Sequence, residues 1–216
     1  MLILISNFFC LILWQLNTRT MQDNDRIREK TKGNVFFEHK YTRRKRNHDY
    51  TGPCTYHIIL KKHKDCRDFG IVGGNPQIRY KEHGCARIDR SKLGWVIERE
   101  IFHWPEFYPF LKVYQHIVMP DHVHILVRVT VKTEKKLGHY VNKLKGGIKM
   151  KWNEREGRAM PPVFEENFTD KIIYPSRSLT EIIQYIQLNP HRLAVRKMRP
   201  DFFMRIRNIR IGEELW

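Results

Sequence analysis

The chain has 216 residues, 41% of them hydrophobic, with 40 lysines and arginines against 23 aspartates and glutamates, a formal net charge of +17. That length allows one domain of ordinary size with extensions, and the apolar fraction can support a packed core. So large an excess of one sign repels itself unless a polyanion is the partner, which argues against a small-molecule enzyme and for a nucleic-acid binder. An anionic membrane surface is the weaker alternative, because no long basic amphipathic helix stands out.

The first elements are extensions. Leu2 to Leu16 is mostly apolar, but it is short for a span of about 20 residues. It also lacks a basic leader and a small-residue cleavage site. Met21 opens a polar segment, so residues 1–20 are read as an upstream over-reading. Cysteines at 10, 54, 66 and 85 fit no zinc-finger spacing, and with no sign of secretion they are read as reduced thiols of a cytoplasmic protein. Residues 1–50 form a flexible basic extension ending in Arg43, Arg44, Lys45 and Arg46, expected to contact a polyanion or to be a solvated tail.

A domain over residues 51–195 follows. Thr55 to Leu60 reads as a strand, and residues 61–90, with Gly70, Gly73, Gly74 and Pro76, as a loop. Leu93, Val96, Ile97 and Ile101 recur at helical spacing, so 91–103 is expected to be a helix, with Pro105 and Pro109 in the connection after it. Residues 112–119 read as a second strand, Pro120-Asp121 as a turn, and the stretch from His122 as a third strand in a tight antiparallel hairpin. Leu137, Val141, Leu144 and Ile148 mark a helix to about Trp152, weakened by Gly146-Gly147. Residues 153–177 resist assignment. Ser178 to Glu181 has the form of a capping box, and the helix it opens has the stripe Leu179, Ile182, Ile183, Ile186 and closes at Asn189-Pro190. The predicted architecture is α+β: a ferredoxin-like antiparallel sheet with helices on one face and the last helix on the other. Residues 196–216 are a basic tail.

Chemistry concentrates at Met119-Pro-Asp-His-Val-His-Ile-Leu-Val127. Alternate residues of a strand share a face, so His122 and His124 project side by side. Two imidazoles so placed can hold one metal ion and leave other positions open, or can be ordinary strand residues. Tyr185 and Asn189, four apart on a helix, share a face beside the apolar stripe. They can approach the histidines, Asn189 as a third ligand and Tyr185 toward a bound phosphate, or Tyr185 can simply pack.

Together these residues resemble a family. Met119 to Val127 is similar to the His-hydrophobic-His motif of single-tyrosine transposases of the insertion-sequence-200 type. Tyr185-Ile-Gln-Leu-Asn-Pro190 resembles the tyrosine helix of their REP-associated branch. Residues 163–173 sit where those proteins carry an aromatic-rich segment, and Tyr56-His57-Ile58 resembles their first strand. The resemblance covers about residues 52–195; the long, cysteine-bearing segment 61–90 departs from compact members.

The resemblance implies a metal-dependent DNA endonuclease and strand transferase with Tyr185 as nucleophile. His122 and His124 would be metal ligands and Asn189 a third, with Mg²⁺ or Mn²⁺ as the ion. Tyrosine would join the 5′ phosphate of single-stranded or hairpin DNA. A homodimer is one arrangement the family allows. Lys143, Lys145, Lys149, Arg192, Arg196 and Lys197 are expected to bind DNA. His57 and His116 lie on strands near the site, and Glu165, Glu166 or Asp170 could add a carboxylate. The alternative reading is a non-catalytic, RRM-like nucleic-acid-binding module, against which the lack of an aromatic-basic RNP sequence counts.

Overall fold

A computed structural model describes residue 45, residues 47–174 and residues 179–199. In chain order the elements are β1 (Cys54–Lys61), β2 (Gly70–Gly73), β3 (Arg87–Arg90), α1 (Lys92–Phe107), β4 (Leu111–Val118), β5 (His122–Val129), α2 (Leu137–Glu156), β6 (Thr169–Ile173), α3 (Leu179–Gln187) and α4 (Asn189–Met198). β1, β4, β5 and β6 form one antiparallel sheet in the order β4-β5-β1-β6, and β2 pairs with β3 as a separate ribbon. Without that ribbon the order from β1 to β6 is the βαββαβ of a ferredoxin-like α+β fold.

Alternation along the strands divides the sheet. Tyr56, Ile58 and Leu60 of β1 and Val123, Ile125 and Val127 of β5 are fully buried in one core. Leu93, Val96, Ile97, Ile101 and Trp104 of α1 and Val141, Leu144, Ile148 and Trp152 of α2 fill the rest of it. The opposite face carries a smaller cluster in which Leu126, Ile173 and Ile186 are buried, with Leu179, Ile182, Ile183 and Tyr185 packed against them. The sheet is therefore covered on both faces, by α1 and α2 on one and by α3 on the other.

Local signals explain most boundaries. Ser91 accepts a bond from Gly94 N at 3.1 Å and starts α1. That helix runs four residues past His103, through Pro105, because the buried Trp104 holds its last turn on the core. Similarly α2 continues beyond Trp152 to Gly157, whose φ of 66° stops it in the left-handed conformation glycine adopts without strain. Both glycines at its middle are spanned because Leu144 and Ile148 are buried on either side.

Three elements differ from the sequence reading. Segment 61–90 contains the β2–β3 ribbon rather than a plain loop. Residues 169–173 are an edge strand beside β1, joined by backbone pairing that its half-exposed, non-alternating side chains do not announce. Asn189-Pro190 does not end helical structure: Pro190 opens α4, because the first turn of a helix needs no proline N–H. The proposed cap at Ser178 lies outside the described residues.

Candidate active site

The β4–β5 turn sets the histidines. Met119 N bonds His122 O at 2.8 Å, closing the hairpin. Lys62 N donates to Asp121 O and Phe69 N to Pro120 O, each at 2.9 Å, so the turn is pinned to the chain leaving β1. Strand pairing then puts Ile59 opposite His124, Lys61 opposite His122 and His57 opposite Leu126. Directly paired residues share a face, so three histidines stand on one side of the sheet.

Their ring nitrogens form a chain. His57 Nε2 lies 2.9 Å from His124 Nδ1, His124 Nε2 lies 3.0 Å from His122 Nε2, and His122 Nδ1 lies 2.6 Å from Asp121 Oδ1. The ionised Asp121 only accepts, so His122 Nδ1 carries its proton and Nε2 is left as a donor atom for a ligand. Likewise His124 can give its Nδ1 proton to His57. Both Nε2 atoms would then have a lone pair to offer an ion. The 3.0 Å between the two Nε2 atoms is close enough for both to hold one ion. Outer partners that orient ligating imidazoles are the usual second layer of a metal site; here they are Asp121 and His57.

Electrostatics keep the buried rings neutral. His57 and His124 are 7% and 4% exposed. Burial, then the neighbouring Lys171 and His122, pushes His57 down to about 4. His124 is held well below the ordinary histidine range, first by burial, then by His57, His122 and Arg192. The hydrogen bond from His122 is the largest of the effects that keep Asp121 below the usual carboxylate range.

α3 brings Tyr185 over this group. Its ring centroid lies 6.2 Å from that of His57 and 6.3 Å from that of His124, edge-on to both. Arg192 of α4 places its guanidinium carbon 4.7 Å from the centre of the Tyr185 ring. In one straight helix, residues seven apart would be about 10 Å apart along the axis; the break at Leu188 brings them together. Asn189 stabilises that break, its amide nitrogen donating to Tyr185 O at 3.1 Å and Ile186 O at 3.2 Å. These carbonyls would otherwise end α3 unsatisfied, and Oδ1 is left as the side-chain atom of Asn189 with lone pairs to offer an ion. Among the described residues no group of three or more His, Cys, Asp or Glu side chains is arranged to hold a metal, so the residues present offer an ion two imidazoles.

Other expected residues are scattered. His116 pairs with Ile125, on the α1 side of the sheet, 3.7 Å from Glu98. Asp170 pairs with Ile58, also away from the histidines, and accepts from Tyr50 at 2.9 Å. Lys143 and Lys149 are exposed on α2, across the sheet from the site. The Lys145 amine donates to the carbonyls of Glu165 and Glu166, each at 2.7 Å, and Lys45 donates to the Tyr174 hydroxyl at 2.7 Å. Arg196 and Lys197 are exposed on α4, while Arg43, Arg44 and Arg46 lie outside the described residues. His57, expected near the site, is joined on the histidine face by Lys61, Arg128 and Lys171, which the sequence reading did not single out; alternation from His122 through His124 and Leu126 reaches Arg128 directly.

No family model matches the sequence. An uncharacterized protein of Haemophilus influenzae (strain ATCC 51907 / DSM 11121 / KW20 / Rd) is 23% identical over 181 residues, 74% of this chain and 93% of that protein. A solved structure of the REP-associated tyrosine transposase bound to a REP hairpin superposes with a TM-score of 0.46 and 12% identity, over 69% of this chain and 74% of that one.

Proposed function

We propose that the protein cleaves and rejoins single-stranded DNA, using Tyr185 as nucleophile beside a divalent ion held by His122 and His124. The observation that carries this reading is the position of Tyr185: a tyrosine sixty-one residues from His124 in sequence stands edge-on to His124 and its partner His57. The motif resemblance and the net charge of +17 point the same way.

His122 Nε2 and His124 Nε2 would be the protein's ligands to the ion, with Asn189 Oδ1 as a third. Imidazole suits Mn²⁺ better than Mg²⁺, which prefers oxygen. When bound, the ion would polarise the scissile phosphate and offset charge in the transition state. The Tyr185 hydroxyl gives its proton to solvent, and its oxygen attacks phosphorus in line. The P–O3′ bond breaks as the P–O(tyrosine) bond forms, and the departing 3′ oxygen takes a proton. The product is a 5′-phosphotyrosine with a free 3′ hydroxyl. Because the phosphoester bond is exchanged rather than hydrolysed, reversal needs no nucleotide.

The test is a denaturing gel of protein incubated with labelled single-stranded and hairpin oligonucleotides and Mn²⁺. A covalent adduct is expected, absent in Tyr185→Phe, which should still bind DNA. An adduct that survives Tyr185→Phe would refute the assignment. Salt-sensitive binding with no adduct, unaffected by chelator and by His122→Ala, would mark a non-catalytic binding module instead.

A further inference from the structure

Arg192 is a cation whose surroundings are unfinished. Its Nη1 is fully enclosed and, among the described residues, has no hydrogen-bond partner. A guanidinium is always charged and carries its donors in a fixed fork, and burying such a donor without an acceptor is strongly unfavourable. Its guanidinium lies on the Tyr185 ring, which in turn packs edge-on to His57 and His124, and none of these rings is a carboxylate that could answer its charge. α4, whose first turn holds Arg192, has no acidic residue there, so its positive end also lacks an anion. Stacking on Tyr185 satisfies the face of the guanidinium but not its N–H groups.

We propose that Arg192 binds the phosphate on which Tyr185 acts, with Nη1 donating to a non-bridging oxygen. This rests on the reading above and adds a catalytic residue to it. The stack fixes the distance between ring and cation, so a phosphate bound at Nη1 is held beside the Tyr185 ring. Arg192 would thereby add its charge to that which an ion held by His122 and His124 would supply. Arg196, one turn further along α4, is exposed and lacks this enclosure.

Two measurements on the full chain separate this proposal from the DNA-cleaving reading. In the first, inorganic phosphate is titrated into ¹⁵N-arginine-labelled protein while the Arg192 side-chain signal, assigned with Arg192→Lys, is followed by NMR. A saturable shift of that signal is expected; an Arg192 signal that phosphate does not move overturns the proposal. In the second, adduct formation is timed at saturating DNA. Arg192→Ala should slow it about 100- to 1,000-fold with Mn²⁺ affinity unchanged, and Arg192→Lys should restore only part, because a point charge lacks the fork. An Arg192→Ala rate within about threefold of the parent overturns the proposal and leaves Tyr185 chemistry standing. A phosphate shift without any adduct in the parent protein supports the anion site and removes the cleavage reading.

Discussion

Replacing His57 with phenylalanine tests whether the third histidine orients the second. The ring keeps most of the volume of the imidazole but loses the nitrogen 2.9 Å from His124 Nδ1. His124 is 4% exposed, so water cannot readily take over that bond. An unsatisfied buried donor costs about 2 kcal/mol, which for a domain of this size lowers the melting temperature by about 4–8 °C. His124 would also be free to rotate or change tautomer, and loss of such an outer partner weakens metal affinity about 10- to 100-fold. Mn²⁺ titration by calorimetry, with thermal unfolding in parallel, gives both numbers. Asp121→Asn should weaken binding less, since Asp121 is exposed and the amide oxygen still accepts from His122 Nδ1. Unchanged Mn²⁺ affinity in a folded His57→Phe protein would refute the idea that His57 positions the site.

Further expectations follow from the same geometry. His57 is held down to about 4 in the folded chain, whereas the unfolded chain titrates near 6.5, so between these values the unfolded state binds more protons. Stability should be full above about pH 6.5 and fall as pH drops toward 4, by up to about 3 kcal/mol; melts in chelator should show this, and the slope should shrink in His57→Phe. A His57→Phe profile as steep as the parent's would contradict it. Chelation should abolish the DNA adduct and Mn²⁺ restore it faster than Mg²⁺; an adduct indifferent to chelator would exclude a metal role. Gly94→Ala would drive a methyl group into the Phe69 carbonyl, which also accepts from Ser91 N at 2.9 Å, at a cost of about 1–3 kcal/mol. A variant melting with the parent would show that this close approach relaxes freely.

The sequence exposed what periodicity and turn chemistry encode. Buried stripes on α1 and α2, the Pro120-Asp121 hairpin and the shared face of His122 and His124 follow from neighbours within a few residues. The parts that stayed hidden depend on pairing between distant segments. His57 reads locally as one histidine in an apolar strand; only the register with β5 puts it beside His124. β6 is held by backbone bonds to β1, and its residues Thr169-Asp-Lys-Ile-Ile carry no alternation. Lys145 shows the same dependence: charge alone assigns it to DNA, and only the fold shows that its amine also holds two carbonyls. Arg192 was one basic residue among many until the turn at Leu188 folded it onto Tyr185.

The small cluster under α3 has a consequence for motion. Among the described residues, Leu126, Ile173 and Ile186 are the buried side chains there. At about 1.5–3 kcal/mol each, they secure the tyrosine side of the site far less firmly than the large core secures the histidine side. α3 and α4 are expected to detach as one cooperative unit well before global unfolding. Native-state hydrogen exchange would reveal this as a common, low opening free energy for amides 183–198, below that of α1; equal protection across both would rule it out. Tyr185 and Arg192 travel together in such an opening, while His122 and His124 stay on the sheet. A DNA end joined to the tyrosine can thus be carried away from the histidines and returned without melting the body of the protein.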